Sequence, residues 1–186
     1  MCWFKAKYII AAVLINGMAL MICLPGCKTG AKEKAPPLKY FDLKGYFEKD
    51  SSHLTRQNKL VFKSVTHNGV TQSKNVHIAN WGIELSLFKA SDINKPAWKD
   101  SYTVTSNDDS VVYKANEPDL KTRKMLIKME KQKVKSIIIF NSAKNILYQT
   151  TEKLSYFPDS LYLIEKYQRV KLMGTNNYKI EGRFIK

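Results

Sequence analysis

From Leu60 to Phe184 the chain is cut, about every ten residues, by residues that turns favour, and the pieces between are rich in β-formers. Leu60-Val61-Phe62 leads to His67-Asn68-Gly69-Val70, and Asn-Gly suits a two-residue hairpin because both residues tolerate positive φ. "SYTVTS" and "SVVYKA" flank Asn107-Asp108-Asp109, and "KMLIKME" and "VKSIIIF" flank Lys131-Gln132-Lys133. "NILYQTTEKLSYF" follows a turn expected at Asn141-Ser142 and stops at Pro158-Asp159. "LYLIEKYQRVKLM" and "YKIEGRF" surround Gly174-Thr175-Asn176-Asn177, the last expected turn. In the final segment Tyr178, Ile180 and Phe184 alternate with Lys179, Glu181 and Arg183, which puts one face in solvent. Ile137 to Phe140 is continuously apolar, as in a central strand covered on both faces or a short buried helix. Connections this short can only join antiparallel neighbours. About eight strands in an antiparallel meander are therefore expected.

Helical spacing occurs twice, both times before the main run of strands. Tyr40, Leu43, Phe47 and Leu54 fall at i, i+3, i+7 and i+14, with Pro37 placed to start the helix. Asn80 is a good N-cap for a second helix carrying Trp81, Leu85 and Phe88, ending before Asn94-Lys95-Pro96. The expected fold class is α+β: an antiparallel, curved sheet of about eight strands with two helices on one face.

The first 37 residues belong to something else. Lys5 and Lys7 precede an uncharged stretch from Tyr8 to Leu24, ended by Pro25-Gly26. A basic start, an apolar run and small residues at its end describe an export signal. As a transmembrane span the run sits at the short limit of about 17 residues. All three cysteines, Cys2, Cys23 and Cys27, lie in this region. Residues 28–37, "KTGAKEKAPP", have nothing to bury and read as a solvated tether.

Leu24-Pro25-Gly26-Cys27 resembles a bacterial lipobox. The resemblance implies that Leu24 is the apolar specificity residue, Gly26 the small residue before the cut, and Cys27 the diacylglycerol carrier and new N-terminus; Pro25 departs from the usual pattern. Residues 1–26 would then be a lipoprotein signal peptide, 27–37 the lipidated cysteine and tether, and 38–186 a single globular domain. The mature chain would keep no free thiol, hence no disulfide or cysteine nucleophile. "YFDLKGYFEKD", "ASDINKPAWKDSY", "EPDLKTRK" and "YFPDSLYLIEKYQRVKLMGTNNYKIEGRF" resemble small uncharacterised lipoproteins of Bacteroidota over most of the mature chain. That likeness implies a cell-envelope location and a single domain. Surface-exposed lipoproteins of that group carry an acidic cluster after the cysteine, whereas here Glu33 stands alone between Lys32 and Lys34. The implied place is the outer membrane, facing the periplasm.

Chemistry is hard to find in the body of the chain. His53, His67 and His77 have no helical i, i+4 spacing; His67 and His77 would face each other only if their strands pair so, and no metal or cofactor is expected. No G-x-S-x-G elbow marks a serine, Ser106-Asn107-Asp108 reads as a hairpin turn, and no phosphate-binding glycine pattern occurs. Sixteen acids offer no way to choose a catalytic pair. The net charge of +15 is the strongest bulk signal. Lys121, Arg123, Lys124, Lys128, Lys131, Lys133 and Lys135 crowd one stretch and are candidate contacts to an anionic lipid surface or an acidic envelope protein, or simply a solubilising face. An exported chain meets little nucleic acid, and the aromatics show no RNA-binding pattern. Ten tyrosines and eight phenylalanines leave one more expectation. A gap under the helices, lined by Tyr148, Tyr156, Tyr162, Tyr167, Tyr178, Ile138, Ile164 and Phe184, would hold an acyl chain. The expected function is a non-enzymatic, lipid-anchored envelope protein with a structural or interaction role. The alternative is a periplasmic carrier of a lipid or amphiphile, and a hydrolase is the distant one.

Overall fold

The computed structural model describes residues 37–185; Cys27, the Leu24-Pro25-Gly26 motif and the tether up to residue 36 lie outside the described residues. Nine strands make one antiparallel sheet: β1 (Leu60–His67), β2 (Val70–His77), β3 (Tyr102–Asn107), β4 (Ser110–Ala115), β5 (Thr122–Glu130), β6 (Lys133–Lys144), β7 (Tyr148–Phe157), β8 (Leu161–Val170) and β9 (Gly174–Phe184). Their order is β2-β1-β9-β8-β7-β6-β5-β4-β3, so β3 to β9 run as an unbroken meander and the first hairpin docks beside the last strand. The sheet is open, with β2 and β3 as its edges. Helices occupy one of its faces, as the periodicities imply.

The long helix α1 (Leu43–Gln57) starts later than Pro37 suggests. Asp42 is its N-cap and accepts a 2.8 Å hydrogen bond from the Gly45 N–H. That bond satisfies a donor with no partner inside the helix. The preceding residues are held by Asn94, whose Oδ1 accepts from Tyr40 N and whose Nδ2 donates to Phe41 O. Tyr40 thereby leaves the helical stripe and wedges between Tyr102 and Tyr113, ring centroids 5.7 and 5.6 Å away. The second expected helix is two short ones, α2 (Trp81–Glu84) and α3 (Ser86–Lys89), broken at Leu85. Asn80 caps α2 as its position predicts, accepting from Ile83 N at 3.0 Å.

Two turns lie elsewhere than expected, and each shift has a cause in the register. β6 continues through Asn141-Ser142 to Lys144, because Asn141 is register partner to Glu152 and its side chain is buried. Asn145 makes the turn instead, its Oδ1 accepting 2.8 Å bonds from both Leu147 N and Tyr148 N. Asparagine suits that role because its side chain mimics a backbone turn. Gly174 to Asn177 belong to β9, paired with Val170 to Tyr167, so the last turn is Lys171 to Met173. Ile137–Phe140 is a strand, but not one covered on both faces. Ile137 and Ile139 are fully buried beneath the helices, whereas Phe140 on the other face is 38% exposed.

The core lies between helices and sheet. Phe47 of α1 meets Tyr156 edge-on at 5.0 Å, and Phe88 of α3 meets the same ring at 5.8 Å. Trp81 of α2 stacks on Phe184 of β9 at 5.4 Å and touches Tyr162 of β8 edge-on. Such aromatic pairs contribute about 0.5–1.5 kcal/mol each beyond the area they bury. Gly182 of β9 is the register partner of Tyr162, and the tyrosine ring lies across its backbone. A Cβ at Gly182 would stand 2.2 Å from Tyr162 Cε1, so only glycine admits this approach.

Candidate functional site

Polar groups inside the core are largely consumed by the fold; among the described residues, Asn141 Oδ1 is buried without a hydrogen-bond partner. Glu84 of α2 accepts a 2.5 Å hydrogen bond from the Tyr162 hydroxyl and is paired with Lys63 of β1 at 2.7 Å. Burial raises the Tyr162 hydroxyl above the ordinary tyrosine range, and its bond to Glu84 adds to the rise. Asp50 of α1 accepts from the Tyr156 hydroxyl. Burial raises the Asp50 carboxyl above its ordinary value, partly offset by that bond. Glu152, Asn141 and Ser91 form a third chain: Asn141 Nδ2 donates to Ser91 Oγ at 2.9 Å and to Glu152 Oε2 at 3.2 Å, with Lys166 3.5 Å from Glu152. Each chain pins a helix or its following loop to the sheet.

The gap expected under the helices is filled. Tyr156, Tyr162 and Ile164 are core residues packed against Phe47, Trp81 and Phe88, and Phe184 packs on Trp81. Tyr178 stacks on His67 at 4.4 Å, and Tyr148 is an exposed turn-end residue. Ile138 and Tyr167 lie on the opposite face, because each alternates with a residue buried under the helices or in register with one.

That opposite, helix-free face carries an open groove of about 680 Å³. Phe140, Ser142, Thr151, Tyr167, Asn177 and Thr66 form its floor, with Lys153, Glu165, Lys179 and Arg123 around it. It spans β6 to β9 and reaches β1. Register explains its composition. Lys114, Lys124, Phe140, Lys153, Glu165, Lys179 and Thr66 are successive partners from β4 to β1, a row of four lysines, one acid and one aromatic. Beside it runs a largely apolar row of Val112, Leu126, Ile138, Ser155 and Leu163. Lys153 and Glu165 are 3.8 Å apart. Lys114 and Lys124, by contrast, stand directly opposite each other, an arrangement like charges disfavour. The face is amphiphilic and, by side-chain count, cationic.

The seven basic residues expected to act together are strung along the whole length of β5 and its turn. Lys121 and Arg123 lie at the start, where Arg123 sits in a register shift and donates to Glu117 O. Lys124 and Lys128 alternate with buried Met125 and Ile127 and so face the helix-free side. Lys131 and Lys133 are at the far turn, about 30 Å away at the rise of an extended strand. Lys135 pairs with Glu130 at 3.1 Å. Only Lys124 and Arg123 join the groove or its lysine row. The other members, Lys114, Lys153 and Lys179, are separated by tens of positions in sequence, so no local run of charge could reveal them. His67 and His77 end opposite ends of the first hairpin and do not face each other. His77 bonds Asn58 O, and among the described residues no three His, Cys, Asp or Glu side chains are placed to hold a metal.

Comparison with protein-family models, with curated protein sequences and with solved structures finds no match to this chain.

Proposed function

We propose that the chain is a lipid-anchored, non-enzymatic protein of the cell envelope, held through Cys27 on the periplasmic side of the outer membrane, and that it works as an interaction module through the helix-free face of its sheet. The observation that carries this reading is the contrast between the two faces. The helix side is filled with interlocked aromatics and ion pairs, while the other side leaves open a groove of about 680 Å³ floored by aromatics and lined by more cations than acids. That volume lies in the range of about 300–1,000 Å³ typical of small-molecule sites. Phe140 and Tyr167 supply apolar contact, and Lys153, Lys179 and Arg123 supply charge for an anionic group. The same pairing favours a second reading, a binder of an anionic amphiphile lying in this groove rather than under the helices.

Anchoring and binding are tested separately. Cys27→Ala should leave a full-length, unacylated precursor by intact mass, and an acylated mutant would refute the anchor assignment. Residues 28–186, expressed in a bacterial periplasm and purified without harsh detergent, should then be compared by native and denaturing mass spectrometry. A stoichiometric amphiphile released on unfolding, and lost in Phe140→Ala, selects the amphiphile binder. A ligand-free mass selects the protein-interaction module.

A further inference from the structure

Two turns at one end of the sheet put large apolar side chains into solvent. Ile146 and Leu147, between β6 and β7, are 87% and 66% exposed; Leu172 and Met173, between β8 and β9, are 100% and 80% exposed. The turns are side by side, since Tyr148 is register partner to Val170 and Lys171 N donates to Leu147 O at 2.8 Å. Both conformations are set by the backbone. Asn145 Oδ1 holds the first through two N–H groups, and Met173 N bonds Val170 O in the second. Leu172 has a positive φ of 72°. Asparagine or glycine is the usual occupant of that region in an exposed turn. An isolated exposed leucine needs no explanation, but a cluster of four apolar side chains on adjacent turns does.

The charges flanking the two turns have one sign. Lys144, Arg169 and Lys171 are exposed beside it, and Lys144 and Arg169 both flank Gln149 in the same register row. No Asp or Glu occurs from Asn141 to Thr151 or from Lys166 to Ile180. The β1–β2 turn is at this end too, with Asn68 bonded to Asn177 and with Val70 70% exposed. The exposed acids at this end, Glu117 and Asp119, are on the β4–β5 connection, whose Lys121 O accepts from Ser142 N, and not on the two turns. Apolar tips flanked by cations, with no acid on either turn, match the interfacial zone of an anionic bilayer: side chains enter the acyl boundary while Lys and Arg meet phosphates. We propose that this end of the sheet docks on an anionic membrane surface, with Ile146, Leu147, Leu172 and Met173 inserted and Lys144, Arg169 and Lys171 on the headgroups. The groove begins close to this end, at Ser142, Thr151 and Tyr167, so docking would bring its mouth to the membrane. The contact does not rest on lipidation of Cys27, and it involves none of the basic residues of the β5–β6 turn.

Residues 38–186 contain the whole sheet, its helices and their core as one compact unit, so a chain of residues 28–186 keeps the surface without the lipid-bearing cysteine. That chain has no cysteine, which permits clean labelling. Leu172→Cys and, as the control, Lys131→Cys at the β5–β6 turn would each carry an environment-sensitive fluorophore. Vesicles of phosphatidylethanolamine with about one third phosphatidylglycerol, and vesicles of phosphatidylcholine alone, are the probes. The expected result is a blue shift at position 172 only, with phosphatidylglycerol vesicles only. In co-sedimentation, Leu147→Ser with Leu172→Ser should weaken binding at least tenfold with an unchanged circular dichroism spectrum. Raising salt from about 0.1 to 1 M should weaken it as well, as the screening length falls from about 10 to about 3 Å. A shift at 131 with none at 172, or no binding to either vesicle, overturns the proposal. So does self-association in vesicle-free solution that Leu172→Ser abolishes, since the turns would then serve a second copy of the chain.

Discussion

Gly182→Ala is the substitution on which local and tertiary reasoning disagree in sign. Gly182 does not adopt a positive φ, so its backbone would accept an L side chain. By the unfolded-state argument alone, alanine there should stabilise the protein by about 0.4–1 kcal/mol. The packing says otherwise. The added Cβ would lie 2.2, 2.3 and 2.5 Å from Tyr162 Cε1, Cζ and Oη, where ordinary contact begins near 3.4 Å, so the ring must retreat. That movement overpacks a filled core, at about 1–3 kcal/mol, and pulls the hydroxyl from Glu84, a charged hydrogen bond of about 1.5–3 kcal/mol. After the stabilising backbone contribution is subtracted, a net loss of about 2–5 kcal/mol follows, out of a typical total of about 5–15 kcal/mol. With a urea m-value of about 2 kcal/mol/M, the midpoint should fall by roughly 2 M. The companion is Tyr162→Leu with Gly182→Ala. On the leucine background the alanine should cost almost nothing, giving a coupling of at least about 2 kcal/mol in the double-mutant cycle. A midpoint unchanged by Gly182→Ala, or two costs that simply add, would refute the claim that glycine is there to admit the ring.

Neighbouring residues test the pleat: Ile139→Ala should cost about 2–5 kcal/mol and Phe140→Ala less than about 1 kcal/mol, by thermal or denaturant unfolding, because only the first faces the helices. Equal costs would mean that the helix-free face is covered. Asp50 tests the ionisation of the core. Its carboxyl is raised by burial, so the folded state holds a proton that the unfolded state has already lost. Stability from this group therefore falls as pH rises from the ordinary aspartate value, about 3.9, through the raised one. Asp50→Asn keeps an acceptor for Tyr156 and should remove that part of the pH dependence, seen as a wild-type-minus-mutant difference between pH 3 and 7; a flat difference would count against it. Lys63→Met leaves Glu84 without its cation and should destabilise by about 1–3 kcal/mol, more than Glu84→Gln, which still accepts from Tyr162. Denaturant midpoints in the reverse order would mean that the lysine is incidental.

Much of the architecture was legible because it is local. Turn chemistry at Asn68-Gly69, Asn107-Asp108-Asp109 and Lys131-Gln132-Lys133 marks hairpins that exist, and the Phe47–Leu54 stripe and the Asn80 cap mark helices that exist. The misplaced turns show where local rules stop. Asn141 and Asn145 are equally good turn residues in isolation, and the choice between them came from Asn141 being drawn against Ser91 and Glu152 in the core. The release of Tyr40 from α1 follows the same logic, since its partners Tyr102 and Tyr113 lie far along the chain.

The site divides the same way. Charge, apolar content and turn spacing are properties of composition and short motifs, and they suffice to suggest a basic, antiparallel domain. Which residues share a face is a property of register, and register is decided across strands. Lys114, Lys124, Lys153 and Lys179 become a row, and the turn of Ile146 and Leu147 comes beside the turn of Leu172 and Met173, only when β4 to β9 pair as they do. A one-residue slip would send a strand's whole set of side chains to the other face. By itself the sequence determined that there would be a sheet with helices on one side; the tertiary structure decided which side was filled and which was left open, because burial on the helix side depends on aromatic rings from α1, α2, α3, β7, β8 and β9 closing on one another.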